Sequence, residues 1–206
     1  MTDYLSIHPN NPQGRLVARA AEAIADGAVA VYPTDSAYAF GCALGHQDAQ
    51  ERIRRIRRAD RTHVFSLLCQ DLSELAAYAR VDNPAYRALK AHTPGPYTFI
   101  LRATREVPRR LQHPKRKTVG LRVPSNPIMQ ALLRACGEPL LSTTAWIPEA
   151  EQPLADIDDI REALDGLVDV VIDSGSCGLE LTSVVDLCES PPQIVRRGRG
   201  DVSAFE

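Results

Sequence analysis

Ala28-Val-Ala-Val-Tyr-Pro-Thr-Asp-Ser-Ala-Tyr-Ala-Phe-Gly41 runs from an apolar stretch into a proline and three small polar residues. The apolar stretch reads as a buried strand. Pro33 removes a backbone donor and ends the ladder, which places Thr34, Asp35 and Ser36 on a loop at the strand's end, where open α/β sheets bind ligands. By itself the stretch leaves two readings open. The polar residues face a pocket, or Asp35 and Ser36 make a local turn by bonding their own backbone.

Upstream, Gln13 to Asp26 carries Leu16, Val17, Ala20, Ala23 and Ile24 at helical spacing and stops at Gly27, a residue suited to the left-handed position after a helix. Downstream, Gln47 to Arg58 has Ala49, Ile53 and Ile56 on one face, and Val64 to Cys69 reads as a buried strand. Asp71 with Glu74 forms a capping-box pattern, and Asn83-Pro84 and Asn126-Pro127 each read as an N-cap followed by proline, with Gly137 ending the second helix. Further strands are expected at Tyr97–Arg102, Thr118–Val123, Leu140–Thr144, Val168–Asp173, Ser183–Leu187 and Gln193–Arg196. Strands and helices mix without strict alternation. The expected fold class is therefore α+β with α/β character: a large, mostly mixed sheet with helices packed on it, in a single domain over residues 1–206.

With 206 residues, 44% apolar and 24% charged, the chain buries a sizeable core, and no Gly/Ser-rich linker divides it. Its start, Met-Thr-Asp-Tyr-Leu-Ser, lacks the basic and apolar regions of a signal peptide, and its apolar runs are only strand-length. A cytoplasmic protein with no membrane contact is expected. Five cysteines form no Cys-x-x-Cys pair and read as free thiols of a reducing compartment. The net charge of −2 hides strong local imbalance: six arginines lie between Arg52 and Arg61, seven basic residues between Arg105 and Arg122, and eight acidic ones between Glu149 and Asp169. Of the 24 basic residues 21 are arginine, whose planar fork suits phosphate or carboxylate.

The segments able to carry chemistry are short islands at the ends of these strands. His63, with Arg57, Arg58 and Arg61, forms a basic turn, although no Walker or dinucleotide glycine loop exists in the chain, so a nucleotide must be held by side chains. Thr93-Pro-Gly-Pro-Tyr-Thr98 is a rigid turn that aims Thr98. Arg122 sits among apolar residues in Val119-Gly-Leu-Arg-Val-Pro124, so it either faces a cavity or is paired with a carboxylate such as Asp186. Leu140-Leu-Ser-Thr-Thr144 and Thr182-Ser-Val-Val-Asp186 supply hydroxyls, and Arg196 ends the last strand before Gly198. No zinc-protease or serine-elbow motif appears, and no histidine pair has metal-ligand spacing, so no protein-held metal site is expected. Asp156, Asp158 and Asp159 open a predicted helix, where stabilising its N-terminus explains them. What remains is a site of arginines and hydroxyls, suited to phosphoryl or nucleotidyl transfer with Mg²⁺.

In their order these islands resemble the YrdC/YciO family, whose best-known members are threonylcarbamoyl-AMP synthases of transfer-RNA modification. The resemblance spans nearly the whole chain. Pro33-Thr34-Asp35-Ser36-x-Tyr38-x-x-Gly41 corresponds to the family's Pro-Thr-Glu-Thr loop, Pro94-Gly-Pro-Tyr-Thr98 to its Pro-Gly-x-x-Thr, and Arg122-Val-Pro124 to its Arg-x-Pro. Thr182-Ser-Val-Val-Asp186 and Arg196-Arg-Gly198 match its Ser-Thr-Val-Val-Asp and Arg-Pro-Gly. Ile7-His-Pro9, Arg52-Ile-Arg54, Val107-Pro-Arg-Arg-Leu111 and Lys115-Arg-Lys117 are similar to the YciO branch.

The resemblance implies a YrdC/RibB-like fold with a twisted mixed sheet, and a reaction in which threonine and bicarbonate form a carbamate that attacks the α-phosphate of ATP. Carried over, Thr34 and Arg122 hold the amino acid, Asp35 and Tyr38 count with them as substrate-binding residues, and His63 is a substrate-binding residue at the ATP end. Arg57, Arg61, Thr98, Ser142, Thr144, Ser183 and Arg196 contact the nucleotide, and no catalytic residue is assigned. ATP is then a substrate accompanied by Mg²⁺. Two motifs differ: the synthases' Lys-x-Arg-Pro followed by Lys becomes Arg57, Ala59, Asp60 and His63, and their Ser-x-Asn becomes Ser142-Thr143-Thr144. The alternative implied by the same resemblance is a protein that binds double-stranded RNA or transfer RNA without making the adenylate.

Overall fold

The computed structural model describes residues 1–60, 63–148 and 150–206. In chain order its elements begin β1 (Asp3–Ser6), α1 (Gly14–Ala25), β2 (Ala30–Tyr32), β3 (Ala39–Ala43), α2 (Gln47–Ile56) and β4 (Ser66–Leu68). There follow α3 (Leu72–Tyr78), α4 (Asn83–His92), β5 (Tyr97–Arg102), β6 (Thr118–Arg122), α5 (Pro127–Cys136) and β7 (Leu140–Thr144). The chain closes with α6 (Ile157–Leu164), β8 (Val170–Asp173), β9 (Ser183–Asp186) and β10 (Gln193–Arg196). All ten strands join one mixed sheet in the order β1-β8-β2-β3-β7-β4-β6-β5-β9-β10. No described helix is long and apolar enough to cross a membrane.

The pleat sorts the core into two faces, because successive side chains on a strand point to opposite sides. Val31, Phe40, Cys42, Leu67, Leu141 and Val171 belong to one apolar cluster. Their neighbours Ala30, Tyr32, Ala39, Ala43, Leu68, Leu140, Val170 and Ile172 belong to the other, beneath α1 and α5. These two helices pack against each other. Helix α1 turns Val17, Ala20, Ala21 and Ile24 inward and ends where Gly27 takes φ +98°. Helix α5 starts at Asn126, whose side chain accepts from the N–H groups of Ile128 (3.0 Å) and Met129 (3.2 Å). It ends at Gly137 in the left-handed conformation.

Several local expectations need correction. Residues 39–43, read as part of a loop, form β3, which pairs antiparallel with β2; its five residues are all buried and show no alternation to reveal it. The short strand β1, which pairs parallel with β8, also escaped the sequence pattern. The cap of α4 is Asp82, which accepts from Ala85 N–H at 2.9 Å, so Asn83 is already helical. Glu74 reaches back to Gln70 N–H (2.6 Å) rather than to that of Asp71, so only half of the capping box forms. All five cysteines are free, but only Cys42 and Cys69 are fully buried. Asp156 caps α6 through Asp158 N–H, with Asp158 and Asp159 in its first turn, as their helix-stabilising role requires.

Gly41 shows how tightly the β2–β3 hairpin is packed. It lies opposite Ala30 on one side and Ser142 on the other, and the fully buried Tyr32 folds its ring and hydroxyl flat over it, so an added Cβ would overlap that ring. Gly41→Ala is expected to destabilise the protein by about 1–3 kcal/mol, measured as a lower urea midpoint at unchanged slope.

Candidate active site

The apolar cluster beneath α1 and α5 ends at Leu68 on β4. Beyond it, the same face of the sheet continues through β6, β5 and β9 with small and polar residues. Ser142, Ser66, Gly120 and Ile100 lie side by side in one row across four strands. Gly120 keeps the floor of this row low: a Cβ there would stand 3.0 Å from Ser66 Oγ and 3.2 Å from Thr98 Cγ2. A cavity of about 440 Å³ opens over the row. Arg57, His63, Arg122 and Arg196 border it, together with the hydroxyls of Thr98, Thr118, Ser142, Thr144 and Thr182.

Three guanidinium groups reach the cavity from three directions. Arg122, at the end of β6, is buried and donates to Asp35 at 2.5 Å, while its Nε is buried without a hydrogen-bond partner. Asp35 also accepts from Ser125 N–H (3.0 Å) and Ser125 Oγ (3.1 Å), which ties the loop after β2 to the turn after β6. Pairing and cavity-facing, posed as alternatives for Arg122, are thus both true, but the partner is Asp35. Asp186 instead binds Arg116 at 2.6 Å.

Arg196 arrives by a β-bulge. Strand β10 pairs Gln193 with Asp186 and Ile194 with Val185, then shifts register so that Arg196 rather than Val195 lies opposite Val184. The shift brings Arg196 to the cavity face and leaves Val195 exposed on the edge strand. Its guanidinium donates to Thr182 O (2.9 Å) and Thr182 Oγ1 (3.0 Å), and that hydroxyl shares a 3.0 Å hydrogen bond with Thr98. Partial burial, and then the nearby Arg122, pull the Arg196 proton affinity down.

Arg57 follows α2 and donates from Nε to Trp146 O (3.3 Å) and from Nη1 to Thr143 Oγ1. The same nitrogen lies 2.9 Å from His63 Nε2. A guanidinium has no acceptor, so this ring nitrogen must carry a lone pair, which puts the proton of neutral His63 on Nδ1. Burial first, then Arg57 and Arg54, lower the His63 pKa to about 4. The histidine is thus a neutral brace that fixes a cation, and burial lowers the proton affinity of Arg57 as well.

The structure brings seven of the residues expected from sequence to the cavity lining: Arg57, His63, Thr98, Arg122, Ser142, Thr144 and Arg196. Four others lie outside it, with their polar atoms engaged elsewhere. Thr34 donates to Ala37 O at 2.6 Å and accepts from Ser36 N–H, so the loop does make the local turn as well. Asp35 is held by Arg122 and Ser125, as above. Tyr38 donates to Gly175 O (2.7 Å), and burial pushes its hydroxyl up to about 12. Ser183 is fully buried between Gly200 O (2.5 Å) and Gly198 N–H (3.0 Å). These four frame the site. Arg61 lies outside the described residues. Ser66 and Thr118 line the cavity without having been singled out, and Thr143 and Thr182, read only as hydroxyls of their islands, join them. Period-two alternation through Thr118-x-Gly120-x-Arg122 marks one of them, but Ser66 needs the register of β4.

Comparison with known proteins agrees with this architecture. Residues 22–198 match the Sua5/YciO/YrdC domain family, described as telomere recombination. YciO of Escherichia coli strain K12 is 52% identical over 205 residues, covering all of both chains. Its crystal structure superimposes with a TM-score of 0.96. A threonylcarbamoyl-AMP synthase of Halorhodospira halophila is 29% identical over 165 residues, covering 80% of this chain and 85% of that one. The structure of P. abyssi Sua5 complexed with L-threonine shares the fold at a TM-score of 0.87 and 24% identity, over 96% of this chain and 58% of that one. With residues 22–198 matched by the family and the whole length aligned to YciO at 52% identity, the chain belongs to the Sua5/YciO/YrdC family.

Proposed function

We propose that this protein is a nucleotidyltransferase of the threonylcarbamoyl-AMP synthase type, which joins a carbamate of L-threonine or a related amino acid to the α-phosphate of ATP. The observation that carries this reading is the lining itself: three convergent guanidinium groups and a floor of hydroxyls, with no carboxylate among the described lining residues. Such a site attracts anions and stabilises charge that develops on phosphoryl oxygens, so it needs no protein nucleophile. The threonine amine and bicarbonate condense with loss of water, and one carbamate oxygen then attacks the α-phosphorus. The bond from that phosphorus to the bridging oxygen breaks, and diphosphate departs with the electron pair.

In this reaction Arg196 and Arg57 hold the phosphate chain, and Arg122, which borders the same cavity, meets the carboxyl group of the amino acid. Thr98, Thr182 and Ser142 supply short hydrogen-bonding groups beside the nucleotide. Magnesium finds no carboxylate cradle in this lining, and the described residues hold no cluster of three or more metal-ligating side chains. The chain's own contribution is therefore cationic.

Incubation with ATP, Mg²⁺, bicarbonate and threonine is expected to release diphosphate in a threonine-dependent manner and to form the acyl adenylate. Absence of any amino-acid-dependent product, beside an active synthase as control, would reject the proposal. Arg196→Ala and Arg57→Ala are each expected to lower turnover by about 10²–10³-fold, the usual effect of removing one positioned donor. Asp35→Ala should cost about 3–5 kcal/mol in urea unfolding, because it leaves Arg122 buried without its partner.

The brace at His63 has its own signature. Its native pKa, about 4, lies below the ordinary 6.5, so between these values the unfolded chain binds more protons than the native one. Stability therefore rises with pH through that window and is lost as pH falls through it. His63→Gln, which keeps an acceptor for Arg57, should flatten the dependence of urea-unfolding free energy on pH between 4 and 6.5.

A further inference from the structure

Two basic segments, Val107–Leu111 and Lys115–Lys117, contribute nothing to the proposed reaction, yet the fold places both beside it. They meet Arg54 of α2 around a second cavity of about 320 Å³, which shares the wall His63, Val64 and Phe65 with the first. Arg54, Arg109, Arg110 and Lys117 line it, and no carboxylate does among the described residues.

This cavity is built rather than incidental. His113 closes the loop that carries Lys117: its N–H donates to Thr118 O (2.8 Å), its carbonyl accepts from Lys117 N–H (3.0 Å), and its Nδ1 accepts from the N–H groups of Lys115 (3.3 Å) and Arg116 (3.1 Å). Lys117 is held at φ +55°, in the left-handed region that a lysine rarely occupies. The turn at Arg109–Leu111 is anchored by buried Leu111, which leaves Arg109 and Arg110 exposed at the rim. Arg110 donates to Leu44 O at 3.1 Å. The Arg54 guanidinium stands 5.1 Å from the centre of the Phe65 ring and gives Nη1 to Glu51 at 2.5 Å. Its Nε is buried and has no hydrogen-bond partner. Four cations around one cavity, with no carboxylate among its described lining residues, call for an anion.

We propose that this second cavity binds inorganic diphosphate, the leaving group of the reaction above. The choice of diphosphate rests on that reading, whereas the demand for a compact, multiply charged anion rests on the cavity alone.

The test is calorimetric titration of the whole protein with sodium diphosphate, without nucleotide, threonine or bicarbonate, so that it does not depend on synthase activity. Diphosphate should bind the native protein and Arg196→Ala with similar affinity, and Arg109→Ala/Arg110→Ala should weaken binding by about tenfold or more. Both replaced arginines are exposed, so the fold is spared; Arg54→Met, which keeps an aliphatic stem over Phe65, should weaken binding as well. Loss of affinity in Arg196→Ala with none in the double variant would place the anion in the first cavity and overturn the proposal. So would absence of diphosphate binding, or an RNA duplex that binds through Arg109 and Arg110 and is not displaced by diphosphate. If synthase turnover is found but diphosphate does not bind here, this inference alone fails. If diphosphate binds here but no adenylate forms, the proposed reaction alone fails.

Discussion

The buried pair between Arg122 and Asp35 holds the working half of the sheet together. Between β2 and β6 lie three other strands, and this contact, with the two bonds from Ser125 to the same carboxylate, spans their ends. An arginine buried on a sheet face is tolerable only with such a partner, since an isolated charge there would cost far more than packing returns. The pair thus stabilises the fold while Arg122 still borders the cavity. Thr34 and Ser36 keep the loop that presents Asp35 in shape by bonding within it.

The cavity exists because the helices cover that face unequally. Helices α1 and α5 pack over strands from β8 to β4, where the residues turned to them are alanine, leucine, isoleucine, Val170 and Tyr32. Along the row that starts at Ser142 and Ser66, and on β6 and β5 beyond, that face carries mainly serine, glycine, threonine and arginine, which offer little apolar surface for a helix to bury. The same substitution of polar for apolar side chains thus ends the core and begins the site. Within the family, one protein named as a threonylcarbamoyl-AMP synthase is 29% identical to this chain.

Electrostatically the site is a set of like charges kept apart by neutral acceptors. Thr182 holds Arg196, while Trp146 O, Thr143 and the unprotonated His63 hold Arg57. Two carboxylates are held in ion pairs: Asp35 by Arg122, and Asp186 by Arg116. Like charges that cannot relax toward a carboxylate gain most from an incoming anion, and the donors need no rearrangement to receive it.

Much of this was legible in the residues. Helical spacing and capping located α1 and α5, proline and glycine marked their ends, and apolar runs marked most strands. Arg57, Arg122 and Arg196 stood out as arginines at strand ends or beside a buried strand. What sequence alone did not decide is which faces meet. The hidden strand β3, the bulge that brings Arg196 to the cavity, the choice of Asp35 over Asp186 for Arg122, and the inward turn of Ser66 all depend on register between strands far apart in the chain. Local propensity has no access to such register. It is settled by the joint packing of ten strands, where a slip of one residue would send every side chain of a strand to the opposite face.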